Sequence, residues 1–274
     1  MRLLTGSARL AGVIGWPVAH SRSPRIHGTW LARHAIDGAY LPLPVAPENF
    51  TEIVRALAKA GFAGANVTIP HKQAAFEVCD AVDPFAARAG AVNTLIFGPT
   101  GITGLNTDGP GFIANLVAHG VNPAAGPALI LGAGGAARAI GAALQDAGAE
   151  ITLCNRSADG ASTLATQLNA RTLPWDSRGA ALANFALLVN TTSLGMAGQP
   201  PLELDLSAAP KTLAVADIVY APLETPLLAA ARTHGLRAIE GLGMLLHQAV
   251  PGFAAWFGVI PVVDAELYSI VSAP

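Results

Sequence analysis

Ala128-Leu129-Ile130-Leu131-Gly132-Ala133-Gly134-Gly135-Ala136-Ala137 is the stretch on which the fold turns. Four apolar residues make a short buried strand, the glycines make a turn, and an Ala-rich run to Ala147 makes a helix. The turn fits G-x-G-x-x-A. Gly132 permits the tight bend, Gly134 lets the backbone approach a pyrophosphate, and Ala137 allows close contact between helix and strand. Ala133, Gly135 and Ala136 complete a cradle whose donors and partial positive charge come from the helix N-terminus. A bare strand-to-helix turn would explain the glycines alone. With a further strand at Ile151–Cys154 in order, the unit reads as a dinucleotide site.

The end of that next strand bears on which dinucleotide. An NAD site places a carboxylate about 20 residues on, to accept from the ribose 2′-OH. This chain has Asn155-Arg156-Ser157 there, with no acid before Asp159. Arg156 can bond a 2′-phosphate and stack on adenine, so NADP is expected.

Working outward, strand-like and helix-like runs alternate from end to end, which predicts an α/β fold with mostly parallel sheets. Strands are expected at Leu10–Gly15, Tyr40–Pro44, Gly64–Ile69, Leu187–Asn190 and Leu213–Asp217, with a hairpin of Val92–Phe97 and Ile102–Leu105. Helices are expected from Ser23 to His34 and over Phe50–Ala60, Lys72–Cys79, Phe112–His119 and Ala161–Leu168, with a last helical segment opening at Gly241. Asn106–Gly111 reads as a turn. The chain thus divides into an N-terminal α/β domain, 1–108 plus a helical return at 241–274, and a doubly wound Rossmann domain at 109–240.

Composition narrows the function. Of 274 residues, 52% are apolar and 12% charged, and the net charge is -2. Disorder needs the opposite balance, and a nucleic-acid binder needs a basic stripe that is absent. The longest apolar runs, Pro123–Ala137 and Ala249–Val263, are each 15 residues and contain Pro and Gly. A spanning helix needs about 20, so no membrane association is expected. Arg2 and Arg9 flank no apolar leader core, and Cys79 and Cys154 are the only cysteines, which together predict a reducing, cytoplasmic setting.

Polar residues collect where strands end, as ligand-binding groups do in parallel sheets. Ser21-Arg22-Ser23-Pro24 puts two hydroxyls at a strand-to-helix junction, although Ser23 alone would serve as a helix cap. Lys72 follows Asn66-Val67-Thr68-Ile69-Pro70-His71 in a chain with three lysines and thirteen arginines. It is therefore not the default cation, and unlike arginine it can release a proton. Asp108, in Asn106-Thr107-Asp108-Gly109, is a third such residue, although a turn or cap role would also explain it. His20, His71 and His247 lack metal-ligand spacing, so no metal is expected.

Taken together, these blocks resemble the shikimate dehydrogenase family over essentially the whole chain. Further matches are Gly90-Ala91-Val92-Asn93-Thr94, Asn190-Thr191-Thr192-Ser193 and Gly241-Leu242-Gly243-Met244-Leu245. The resemblance implies reversible NADPH-dependent reduction of 3-dehydroshikimate to shikimate, within aromatic amino-acid biosynthesis. It implies that Ser21, Ser23 and Tyr220 bind the substrate carboxylate. Asn66, Thr68, Asn93 and Gln248 would hold ring hydroxyls, with Lys72 and Asp108 catalytic and also in contact with substrate. Ile218, Gly241 and Met244 would lie near the nicotinamide, with Thr191, Thr192 and Ser193 along the cofactor cleft. Where many relatives carry a second arginine after the Asn-Arg block, this chain has Gly160. The alternatives are a quinate/shikimate dehydrogenase using NAD and a catalytically silent NADP-binding regulator. Either a monomer or a homodimer is compatible with the sequence.

Overall fold

Apolar runs of four to seven residues, too short for helices, become most of the strands of two separate sheets in the computed structural model, which describes residues 3–273. Arg2 lies outside the described residues. The first unit contains β1 (Arg9–Gly15), α1 (Ser23–Arg33), β2 (Gly38–Pro44), α2 (Phe50–Lys59), β3 (Gly64–Val67), α3 (Lys72–Val78), β4 (Ala81–Val82), α4 (Pro84–Ala89), β5 (Thr94–Gly98) and β6 (Gly101–Leu105). Its sheet order is β2-β1-β3-β5-β6-β4. β1 is parallel to β2 and β3, while β5 and β6 form the antiparallel hairpin. Ile14, Phe50, Val54, Val67 and Leu95 fill its core. Fully burying a side chain of that size is worth about 1.5–3 kcal/mol.

The second unit contains α5 (Asp108–Ala118), β7 (Ala128–Leu131), α6 (Gly135–Asp146), β8 (Ile151–Cys154), α7 (Ala158–Leu168), β9 (Arg171–Leu173), β10 (Leu187–Asn190), β11 (Ala214–Asp217), α8 (Pro226–Thr233) and β12 (Arg237–Ile239). All its strands are parallel, in the order β12-β11-β10-β7-β8-β9. With β7 counted as the first strand and the sheet read from its β9 edge, this is 3-2-1-4-5-6, the Rossmann order. α9 (Gly241–Phe257) leads out of it and α10 (Ala265–Ser272) ends the chain.

By contacts, the first unit holds the residues up to Thr107 and those from Leu246 onward, and the second holds Asp108–Leu245. The cut thus falls inside α9, not at Gly241. The returning segment is bound to its own unit by Trp256 Nε1, which donates to the Leu95 carbonyl at 2.9 Å, and by Arg33, which pairs with Asp264 at 3.1 Å.

Three departures from the sequence reading have local causes. α5 starts at Asp108, where a turn is expected, because an acid suits the first turn and Pro110 needs no N–H partner there. α7 starts at Ala158 because the Ser157 hydroxyl caps it, accepting from Gly160 N at 3.3 Å. β9 and β12 are three-residue edge strands carrying exposed arginines, so they show no apolar run. No described helix is long and apolar enough to cross a membrane.

Candidate functional site

In the first unit a buried polar cluster lies around the C-terminal end of β3 and the start of β5. Asn66, near the end of β3, places Oδ1 to accept from Tyr40 at 2.6 Å. Its Nδ2 donates to Thr94 Oγ1 at 3.1 Å and the Asn93 carbonyl at 3.3 Å. Asn93 Oδ1 accepts from Thr107 N at 2.8 Å and from Thr94 Oγ1 at 3.1 Å. Asn93 Nδ2 donates to Thr107 Oγ1 at 2.9 Å and reaches Gln248 Oε1 at 3.4 Å. Such polar density in a core is tolerable because nearly every group is paired.

Around this cluster, Thr68 lies against β1, its backbone N–H donating to Ile14. A Cβ at Gly15 would sit 2.5 Å from the Thr68 methyl, so glycine makes that approach possible. Lys72 opens α3 and is half-buried. His71, just before it, is structural: Nε2 donates to the Val45 carbonyl at 2.8 Å and the ring stacks on Phe50. Burial lowers its pKa. Ser23 is not the cap of α1. Arg22 holds that place without a side-chain capping bond, and the Ser21 hydroxyl accepts from Ser23 N at 3.3 Å.

Thr94, Thr107 and Tyr40 are network members that the sequence reading leaves unassigned. The first two adjoin Asn93 and Asp108, which is a usable signal. Tyr40 shows only the alternation of an ordinary strand.

In the second unit the glycine turn fits a pyrophosphate. Gly132 has φ +115°, and a Cβ there would lie 2.5 Å from Thr191 Oγ1, which donates to the Leu131 carbonyl at 2.7 Å. Above Gly134 and Gly135 a Cβ would meet nothing within 4 Å, and no side chain caps α6. Ala133 and Ala136 flank this open helix end, whose amide groups point out of it. Arg156 is exposed and has no bonded partner among the described residues, whereas Asn155 Nδ2 donates to Ser157 O at 3.0 Å.

Across the same sheet, the ends of β10 and β11 are tied together. Asn190 Nδ2 donates to Asp217 Oδ1 at 3.0 Å, and Asn190 Oδ1 accepts from the Thr192 hydroxyl at 2.7 Å. Thr225 donates to Asp217 Oδ2 at 2.8 Å. Burial raises the Asp217 pKa, against the pull of these donors. Ser193 is exposed beside them. Ile218 and Tyr220 follow β11, and the Ile218 carbonyl occupies the space a Gly241 side chain would need. Asn115 of α5 donates to the Glu240 carbonyl at 3.0 Å, and its Oδ1 fills the place of a Gly243 Cβ. The head of α9, with Met244, is therefore pinned from α5, whose first residue is Asp108. No cluster able to hold a metal occurs among the described residues.

These features define an α/β protein that joins a Rossmann nucleotide unit to a second unit built around buried amides and hydroxyls. The family model described as the shikimate dehydrogenase substrate binding domain matches residues 13–95. A shikimate dehydrogenase (NADP(+)) of Acidiphilium cryptum is 73% identical over 271 residues, covering 99% of this chain and 98% of the relative. One of Paramagnetospirillum magneticum is 56% identical, covering 98% and 99%. Among solved structures, shikimate 5-dehydrogenase of Thermus thermophilus in complex with NADP(H) and shikimate superposes with a TM-score of 0.88 at 36% identity, covering 96% of this chain and 98% of that one. The chain belongs to the shikimate dehydrogenase family.

Proposed function

We propose that this protein is an NADP-dependent shikimate dehydrogenase that reversibly reduces 3-dehydroshikimate to shikimate. The observation that carries the cofactor half is Arg156, exposed and unpartnered among the described residues at the end of β8, with no carboxylate beside it. The family relationship and the Thermus structure, named with NADP(H) and shikimate, support the rest.

When bound, the nicotinamide supplies the hydride or accepts it. The chain's own residues bind, orient and move a proton. Ser21 and Ser23 would take the substrate carboxylate with Tyr220, while Asn66, Thr68, Asn93 and Gln248 would take the ring hydroxyls. Lys72, with Asp108, would accept the proton of the reacting hydroxyl during oxidation and return it during reduction. The pyrophosphate would rest on Gly132, Ala133, Gly134, Gly135 and Ala136, and the adenosine phosphate on Asn155, Arg156 and Ser157. Thr191, Thr192, Ser193, Ile218, Gly241 and Met244 would line the nicotinamide half. Two thiols that are both free support a cytoplasmic setting, for a monomer or homodimer.

The test is absorbance at the NADPH band with shikimate or quinate, each with NADP and NAD. Shikimate with NADP should give the highest kcat/KM. A preference for quinate with NAD would overturn this reading.

A further inference from the structure

The buried amides of the first unit are joined by hydrogen bonds whose directions can be assigned. The Asn93 carbonyl can only accept, so the Asn66 atom 3.3 Å from it must be nitrogen. Oδ1 of Asn66 then faces Tyr40, and the phenol must donate across the 2.6 Å contact. Both Asn66 hydrogens are spent, on Asn93 and on Thr94 Oγ1. Thr94, having accepted, donates to Asn93 Oδ1, which also accepts from Thr107 N. That fixes Nδ2 of Asn93 toward Thr107 and Gln248. One polarised chain therefore runs Tyr40→Asn66→Thr94→Asn93→Gln248, and Tyr40 heads it.

The phenol is held as a donor. Tyr40 is 7% exposed, and burial raises its pKa well above 10. Its ring stacks on His27 at 3.9 Å with planes 6° apart. His27 is wholly buried with no hydrogen-bond partner on either ring nitrogen, and burial drives its pKa down to about 3. A neutral ring beside the phenol gives a phenolate no cation to lean on. Phe253 and Trp256 close around the imidazole.

We propose that Tyr40 is a positioning residue: its buried hydroxyl sets the amide orientation of Asn66, and through Thr94 that of Asn93, so that Asn66 can offer a substrate hydroxyl only an acceptor oxygen. This rests on the shikimate dehydrogenase reading above.

The test measures shikimate oxidation by Tyr40→Phe, Asn66→Ala and the double variant, with NADPH binding and thermal melting of each. Tyr40→Phe keeps the stacked ring and removes only the donor. It should raise the KM for shikimate roughly 5–50-fold, the effect of leaving one buried acceptor unpaired. NADPH affinity should stay within about twofold and the midpoints of the kcat pH profile should not move, because the phenol moves no proton. In the Asn66→Ala background the added change should be under about twofold, since coupled residues are non-additive. Thr94→Val breaks the same chain one bond further on and should share the signature. A Tyr40→Phe enzyme within about twofold of wild type while Asn66→Ala is impaired overturns the proposal, and so do effects that simply add. A neutral Asn66→Ala in an active enzyme removes Asn66 as a substrate contact and the positioning role with it, leaving the activity intact. A wild type inactive on shikimate overturns the activity reading itself.

Discussion

A histidine with both nitrogens unpaired in a core is neutral there, and His27 has consequences beyond its contact with Tyr40. Its folded pKa of about 3 lies below the ordinary 6.5. Between those values the unfolded chain binds the extra proton, so stability falls as pH drops below 6.5. His71, lowered by burial, adds the same sign. Each such group contributes at most about 1.4 kcal/mol per pH unit in that window. Denaturant melts of wild type and His27→Leu between about pH 7.5 and pH 5 check this, and the variant should lose stability more gently. Equal slopes would show that His27 does not govern acid stability. Lys72 carries the second expectation at this scale. Lys72→Ala should lower turnover about 10²–10⁴-fold, with a smaller change in KM. Turnover within about threefold of wild type would remove it as the proton carrier. Lys72 stands out in the sequence as one of three lysines, Asp108 as an acid in a polar block after a strand, and Arg156 as a cation where an NAD site would hold a carboxylate. Tyr40 and His27 do not. No sequence pattern singles out either one, and only the fold shows that the buried phenol meets a buried amide 26 residues away.

At the scale of elements, the proposed NADP preference rests on the β8–α7 junction. Ser157 is committed to capping α7, and Asn155 is held to the Ser157 carbonyl, which leaves Arg156 as the free cation of the loop. Arg156→Ala should raise the KM for NADP about 10–150-fold, the worth of one charge-assisted hydrogen bond, and leave the KM for NAD almost unchanged. Equal weakening of both cofactors would mean that the guanidinium stacks on adenine or supports the loop. Gly160, where a second arginine could stand, is a tight place: a Cβ there would lie 3.2 Å from Asn155 Nδ2. Gly160→Arg therefore sharpens NADP preference only if Asn155 gives way. Strand and helix identities here follow from short apolar runs, the glycine turn and capping residues, all local signals. What local signals leave out are β9 and β12, whose places are set by neighbours: an edge strand gains its partner from the strand beside it, not from its own alternation.

At the scale of the whole chain, the first unit is closed by segments far apart in sequence. It ends at Thr107 and resumes at Leu246, and the resumed part supplies fully buried Phe253 and Trp256. The same part accepts hydrogen bonds from Trp30 at Val262, from Arg9 at Trp256 and from Arg22 at Val271. Loss of one large buried aromatic costs about 3–5 kcal/mol, and a whole domain has about 5–15 kcal/mol to lose. A fragment of residues 1–107 is therefore expected not to fold on its own. Residues 108–245 are one unbroken stretch with a complete parallel sheet and a core centred on Leu129, Leu188 and Val215. That fragment should melt cooperatively by circular dichroism and enhance NADPH fluorescence, while showing no shikimate binding. Fragment 1–107 should show no cooperative transition, and adding residues 246–273 back to it, covalently or as a peptide, should restore one. A cooperative melt from 1–107 alone would show that the aromatic return is dispensable. A 108–245 fragment that folds but ignores NADPH would show that the glycine turn and Arg156 do not suffice for the cofactor.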